Sequence, residues 1–258
     1  MLLAIDVGNT NTVIGAYQKN GEGGLLDHWR IATSAERTAD EYSVTIRALF
    51  GLNDLDPAKI GAAIISSVVP AAVHPLRLAL KERFGITPLL VGPGIKTGMP
   101  ILYENPKEVG ADRIVNAVAA YAKYQGGTIV VDFGTATTFD CISPKGEYLG
   151  GVIAPGVTIS ADALYHHAAK LPRVEIGRPP QVIGRNTVAS IQSGLYNGYV
   201  SLVDGIVRRM VQEAGFPIRV VATGGLARLI AKGSATIEEA DELLTLDGLR
   251  LIHAMNVT

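Results

Sequence analysis

Ala4-Ile5-Asp6-Val7-Gly8-Asn9-Thr10-Asn11-Thr12 decides how the rest of the chain is read. An apolar run from Leu2 ends on an acidic residue, then a glycine, then small polar residues, and strand-like residues resume at Val13–Tyr17. This pattern predicts two strands joined by a tight polar turn. The glycine lets backbone N–H groups come close to a ligand. The Asn and Thr side chains add donors suited to phosphate oxygens. Asp6, at the strand end, is placed to hold a hydrated cation or orient a water beside those phosphates.

Such a turn is common and often only structural. A second copy changes its meaning. Val130-Val131-Asp132-Phe133-Gly134-Thr135-Ala136-Thr137-Thr138 repeats the order apolar, apolar, Asp, apolar, Gly, polar. Asp132 stands 132 − 6 = 126 residues after Asp6, close to half of the 258-residue chain. Self-similarity at that spacing marks a duplicated domain, with units expected at 1–115 and 116–258. Two acidic turns facing each other across a cleft would pinch a metal-nucleotide.

Composition narrows the alternatives. Lys and Arg number 23 against 24 Asp and Glu, so the chain carries no footprint for nucleic acid or an anionic membrane. Cys141 is the single cysteine, which rules out an intrachain disulfide or a cysteine zinc cluster. The longest apolar stretch, Ala62–Val73, is too short to span a bilayer and contains Pro70. The N-terminus lacks the basic segment of a signal peptide. A cytoplasmic protein is expected.

In the first half, strands are expected at Leu2–Asp6, Thr12–Tyr17, Leu25–Ala32, Ala62–Ser67 and Pro88–Val91, with a Gly21–Gly24 turn. Helices are expected at Thr38–Phe50 and Pro70–Phe84, giving a mixed sheet with helices on its faces. Gly92–Glu108 is irregular, a length of loop that usually serves function. Ile114, Ala117, Val118 and Tyr121 then recur with helical spacing over Ala111–Tyr124. The second half repeats the plan with strands Thr128–Asp132, Thr137–Ile142, Glu147–Ile153 and Arg219–Ala222. Helices are expected at Val157–Ala169, Thr187–Ala214 and Leu226–Ala231, and a short edge strand plus a closing helix within Leu243–Ile252.

Gly110-Ala111-Asp112-Arg113 opens a helix after the irregular loop. Helix-start N–H groups attract anions, and an arginine can fork onto a carboxylate. Asp112 could accept a proton from an attacking hydroxyl, or simply complement the helix dipole. Thr223-Gly224-Gly225 reads equally as a close-approach turn for a nucleoside or α-phosphate and as a glycine helix entry. Gly150-Gly151 and Pro155-Gly156 flank a strand and could shape a cleft floor, though such glycines more often serve structure. His166 and His167 are adjacent, so they do not have the i, i+4 spacing of a metal pair.

With Asp-x-Gly-Asn-Thr at 6–10, Gly-Ala-Asp-Arg at 110–113, Asp-Phe-Gly-Thr-Ala-Thr-Thr at 132–138 and Thr-Gly-Gly at 223–225, the chain resembles the type III pantothenate kinases from end to end. Lys96-Thr97-Gly98 and Ile183-Gly184-Arg185-Asn186-Thr187 belong to the same resemblance. It implies the architecture of the wider actin, Hsp70 and sugar-kinase superfamily: two duplicated ribonuclease-H-like domains, each a mixed five-stranded sheet flanked by helices, with the active-site cleft between them. It implies ATP-dependent phosphorylation of the primary hydroxyl of pantothenate, the first step toward coenzyme A. It also implies a homodimer, magnesium with ATP, and a monovalent cation, potassium or ammonium.

Residue by residue, the resemblance makes Asp6, Val7, Gly8, Asn9, Thr10, Asn11, Thr12 and Val13 the phosphate loop and brings Thr135 to ATP. Asp132 would hold the monovalent cation, a role that the turn's chemistry alone had given to a divalent metal. Asp112 would be the proton acceptor. Tyr103, Gly110, Ala111, Asp112, Arg113 and Thr187 would contact pantothenate. Against this stand a non-catalytic ATP-binding regulator of the same fold, a nucleotide-driven filament protein, and another small-acid or sugar kinase.

Overall fold

The computed structural model describes residues 1–18 and 23–257. Gly21 and Glu22 of the expected turn lie outside the described residues. The chain forms two compact α/β units. One contains 1–99, 105–119 and 244–258, the other 100–104 and 120–243.

In the first unit, β1 (Leu2–Val7) pairs antiparallel with β2 (Asn11–Tyr17), and β2 with β3 (Leu25–Ala32). After α1 (Ala39–Leu52) the chain returns as β4 (Ala62–Ser67), parallel to β1. α2 (Pro70–Phe84) then leads to the two-residue edge strand β5 (Leu89–Leu90), and the sheet order is β3-β2-β1-β4-β5. Two-residue periodicity divides β1: Leu3, Ile5 and Val7 enter a core with Tyr42, Ile46 and Phe50 of α1 and Leu76 and Leu80 of α2. Leu2, Ala4 and Asp6 therefore line the opposite face. α1 starts where it does because Thr38 and Glu41 form a reciprocal capping box.

α3 (Ala111–Tyr124) follows the irregular stretch, within which Pro106–Glu108 makes one 3-10 turn. Residues 115–120 of α3 are all buried, so the helix hides more than the single stripe its spacing predicts. In the second unit β6 (Gly127–Phe133), β7 (Ala136–Ile142) and β8 (Tyr148–Pro155) are again consecutive antiparallel strands. α4 (Val157–His167) and the 28-residue α5 (Thr187–Ala214) precede β9 (Ile218–Gly224), which pairs parallel with β6. α6 (Ala227–Ala231) and the edge strand β10 (Glu239–Ala240) complete the sheet β10-β9-β6-β7-β8. Read from the other edge, this order repeats that of the first unit. Ile129, Val131 and Phe133 enter a core with Tyr199, Val203 and Val207 of α5, so Asp132 belongs to the other face.

The end of the chain departs from expectation. No strand lies within Leu243–Ile252; Leu244–Asn256 is one helix, α7, and the edge strand comes earlier, at β10. Leu246, Leu249 and Ile252 are buried at helical spacing. α7 belongs to the first unit, so the expected division at 115/116 does not describe the compact units. The reason is packing: Leu246 occupies the space beside Gly15, where a Cβ would stand 2.9 Å from its methyl. Gly248 lies so close to Val115 of α3 that a Cβ there would overlap the Val115 carbonyl. Thr245 donates to the Asn116 side-chain oxygen at 2.7 Å, and Tyr17 to Asp247 at 3.1 Å. Among the described residues no helix is long and apolar enough to cross a membrane.

Candidate active site

Asp6 sits one residue before the end of β1, facing Val13 on β2 and Ser66 on β4. The fully buried Ser66 hydroxyl donates to Asp6 Oδ1 at 2.6 Å. Burial pushes the Asp6 carboxyl up to about 6; the Ser66 hydrogen bond opposes that rise and the charge of Asp112 adds to it. The Asp112 charge thus reaches Asp6 within the first unit.

The bend after Asp6 is closed by Gly8 N–H donating to the Asn11 carbonyl at 3.0 Å. It is braced from just past β3: Thr33 donates its hydroxyl to the Gly8 carbonyl at 2.7 Å and its N–H to the Thr10 carbonyl at 3.0 Å. Thr12, which sequence chemistry offered as a phosphate donor, is fully buried with its hydroxyl 2.9 Å from that of Thr33. The Val7 side chain is in the core. Asn9 and Thr10 are the exposed residues of the bend.

Gly110 and Asp112 form a second structured group. A Cβ on Gly110 would stand 2.6 Å from Asp112 Oδ1, so the missing side chain is what admits the carboxylate. Arg113 donates its backbone N–H to the same oxygen at 2.8 Å. Burial raises the Asp112 pKa, opposed by that hydrogen bond and by the Arg113 charge. A raised pKa makes a carboxylate a better proton acceptor.

In the second unit, Asp132 faces Thr138 on β7 and Thr223 on β9, the register that Asp6 has with Val13 and Ser66. The bend is one residue shorter: the spacing of copies falls from 126 at the aspartates to 137 − 12 = 125 at the paired threonines Thr12 and Thr137. Gly224 has φ +89, and a Cβ there would stand 2.5 Å from Asp132 Oδ1 and 2.7 Å from the Phe133 carbonyl oxygen. Gly224 therefore packs directly against the Asp132 carboxylate and the Phe133 carbonyl, and any side chain there would displace them. A Cβ on Gly156 would overlap the carbonyl of Thr135, so Gly156 supports this bend from below. Thr223-Gly224-Gly225 does run into a short helix, α6, but the first glycine is explained by Asp132.

The remaining expected residues are placed separately. Half-buried Tyr103 belongs to the second unit, its ring 3.6 Å from a Cβ built on Gly150, next to the bridge between Ile101 and Tyr148. Thr187 is the first residue of α5, while Asn186 is the cap and accepts from the Ala189 N–H at 2.8 Å. Relieved of capping, exposed Thr187 lines a cavity of about 700 Å³ with Leu164, Leu171, Arg185, Ile191 and Leu195. Tyr103 is not part of that lining. His166 and His167 end α4, and both are exposed. Among the described residues no cluster of three or more His, Cys, Asp or Glu forms a ready-made metal cage. Ser66 is the functional candidate that sequence reasoning passed over; hydroxyl residues close an apolar strand in both halves, but only the β1–β4 register sets Ser66 opposite Asp6.

The duplicated sheet, with an acidic bend at the end of each central strand, defines the class as the actin and sugar-kinase architecture. Solved structures agree at the level of fold. An activator of 2-hydroxyisocaproyl-CoA dehydratase from Clostridium difficile, solved with bound ADPNP, superposes with TM-score 0.53 at 14% identity, covering 99% of this chain and 93% of that one. A provisionally assigned 2-dehydro-3-deoxygalactonokinase from Sinorhizobium meliloti gives TM-score 0.58 at 13% identity over 99% and 96%. The particular family follows from closer matches. The family model for type III pantothenate kinase matches residues 2–209. Type III pantothenate kinases from Anaeromyxobacter sp. (strain Fw109-5) and Myxococcus xanthus are 64% and 59% identical, each over 99% of this chain and 100% and 99% of their own. That from Halalkalibacterium halodurans is 56% identical over the full length of both. The chain belongs to the type III pantothenate kinase family.

Proposed function

We propose that the chain transfers the γ-phosphoryl of ATP to the primary hydroxyl of pantothenate, giving 4'-phosphopantothenate, with Asp112 as proton acceptor. The observation that carries the assignment of Asp112 is its setting: a half-buried carboxylate, admitted by Gly110, held by the Arg113 N–H, with a raised pKa. Asp112 accepts the hydroxyl proton as the oxygen attacks phosphorus. Arg113, with Gly110 and Ala111 at the start of α3, holds the acceptor's carboxylate end.

The loop from Asp6 to Val13 takes the phosphates. Asn9 and Thr10 are the residues suited to that work, because the Thr12 hydroxyl, the Val7 side chain and the Gly8 N–H and carbonyl are committed elsewhere. Thr135 contacts ATP, and Tyr103 and Thr187 contact pantothenate. ATP brings its own divalent magnesium, which needs few protein carboxylates because phosphates and water supply most of its shell. A monovalent cation, potassium or ammonium, would be held by Asp132 beside the Phe133 carbonyl, where it would neutralise phosphate charge. Most of the rate gain in phosphoryl transfer comes from positioning and charge neutralisation.

A homodimer is supported by exposed apolar residues of the second unit, Ile159, Leu164 and Tyr165 on α4, Val182 and Ile183 in the loop before α5, and Val188 in its first turn. The proposed setting is the cytoplasm, where ATP is made. Replacing Asp112 by Asn tests the central assignment: the folded variant is expected to bind ATP yet lose pantothenate-dependent ADP release.

A further inference from the structure

We propose that Ser66 is a positioning residue for ATP: its hydroxyl pins Oδ1 of Asp6, and so fixes the carboxylate that faces the nucleotide's phosphates. The inference rests on the assignment of the Asp6 bend to ATP given above.

Three observations carry it. Ser66 is fully buried, and its hydroxyl lies 2.6 Å from Asp6 Oδ1, a short contact typical of a charge-assisted hydrogen bond. Among the described residues it is the protein donor recorded on that carboxylate, so Asp6 Oδ2 is left for water or ligand. The pairing is also imposed by the sheet: β1 and β4 run parallel with Asp6 opposite Ser66, which places both side chains on one face.

The third observation is recurrence. In the separately built second sheet, Asp132 stands opposite Thr223 at the same parallel register. Divergence has altered the neighbours of both aspartates. The bend has lost a residue, and Val13 is replaced by Thr138 at the antiparallel position. The hydroxyl on the parallel neighbour persists through these changes. A neutral hydroxyl meets a specific need there. It restrains the carboxylate without cancelling its charge, which a Lys or Arg at the same place would do. An alanine would leave a half-buried carboxylate free to change rotamer.

The test is steady-state kinetics on Ser66→Ala, Ser66→Thr and a control, Ser67→Ala. Among the described residues, the Ser67 hydroxyl bonds only the Val69 backbone, 3.0 Å from its N–H. For Ser66→Ala, kcat/KM for ATP is expected to fall about 10- to 100-fold, the range seen when groups that orient metal-site ligands are removed. KM for pantothenate should stay within about twofold, because only an ATP-facing group has been loosened. Ser66→Thr keeps the donor and should recover most of the loss, and Ser67→Ala should leave the ATP parameters unchanged.

Wild-type ATP kinetics in a folded Ser66→Ala would overturn the proposal. So would equal losses in Ser66→Ala and Ser66→Thr, or a loss expressed as strongly in the pantothenate KM. If Ser66→Ala fails to fold, Ser66→Thr carries the test, and a folded but ATP-impaired Ser66→Thr rejects it. Absence of pantothenate-dependent turnover in the wild type would instead reject the reading of the site itself.

Discussion

Asp6 and Asp132 occupy the same node of two independently assembled sheets. Each lies one residue before the end of the central strand, with an antiparallel neighbour on one side and a parallel neighbour bearing a hydroxyl on the other. The end of a central strand flanked by a crossover is where open α/β sheets place ligands. Each carboxylate also has a glycine close by: Gly8 in the turn after Asp6, and Gly224 packed against Asp132. The consequences differ between the two, and they can be separated by mutation.

Asp112→Asn retains size and the Arg113 N–H contact but cannot take a proton. It is expected to fold normally and to lose about 10²- to 10⁴-fold in kcat, with KM for ATP nearly unchanged. Steady-state kinetics with a thermal melt checks this. Near-native kcat would remove Asp112 from its role.

Asp6→Asn separates stability from function. A carboxyl whose folded pKa is about 6, against an ordinary 3.8, holds its proton more tightly in the native state. The native state therefore loses stability as pH rises from about 4 to 6 and carries the full penalty above that. Asp6→Asn should be more stable than wild type by about 2–3 kcal/mol at pH 8, with the difference vanishing near pH 4, and should be inactive. Urea titrations of the ligand-free proteins at the two pH values read this directly.

Gly224→Ala puts a methyl where the Asp132 carboxylate and the Phe133 carbonyl already crowd, on a backbone with φ +89. It is expected to lose about 1–3 kcal/mol of stability. The variant should also respond less than wild type when sodium is exchanged for potassium. Unaltered activation by potassium in a folded Gly224→Ala would argue against a cation beside Asp132.

Gly248→Ala inverts a familiar effect. Replacing an exposed helix glycine by alanine usually stabilises by about 1 kcal/mol. Here the new methyl overlaps the Val115 carbonyl of α3, so a loss of about 1–3 kcal/mol is expected. A differential scanning calorimetry trace that shifts upward would contradict the packing of α7 on the first unit.

The two sheets were legible because strand patterning is local: β1 and its copy β6 are apolar runs that close on Asp-x-Gly, and strand residues resume directly after each turn. The acidic bends and the Gly-Ala-Asp-Arg helix start were legible for the same reason. What the sequence hid depends on distant partners. Whether α7 belongs with the first strands is decided by Gly15 against Leu246 and Val115 against Gly248, contacts that no window spans. Edge strand β10 has two residues and so no period to detect. Ser66 becomes a candidate only when the β1–β4 register is known. Asn186 and Thr187 are both good caps, and only the Ala189 hydrogen bond tells which one serves.

The most direct test of the account is a coupled assay of ADP release by the purified wild-type chain with magnesium and ATP, with and without pantothenate, the product identified by mass spectrometry. ADP release that requires pantothenate, matched mole for mole by a phosphorylated pantothenate, is the predicted result. ATP turnover indifferent to pantothenate, or nucleotide binding with no phosphorylated product, would contradict it.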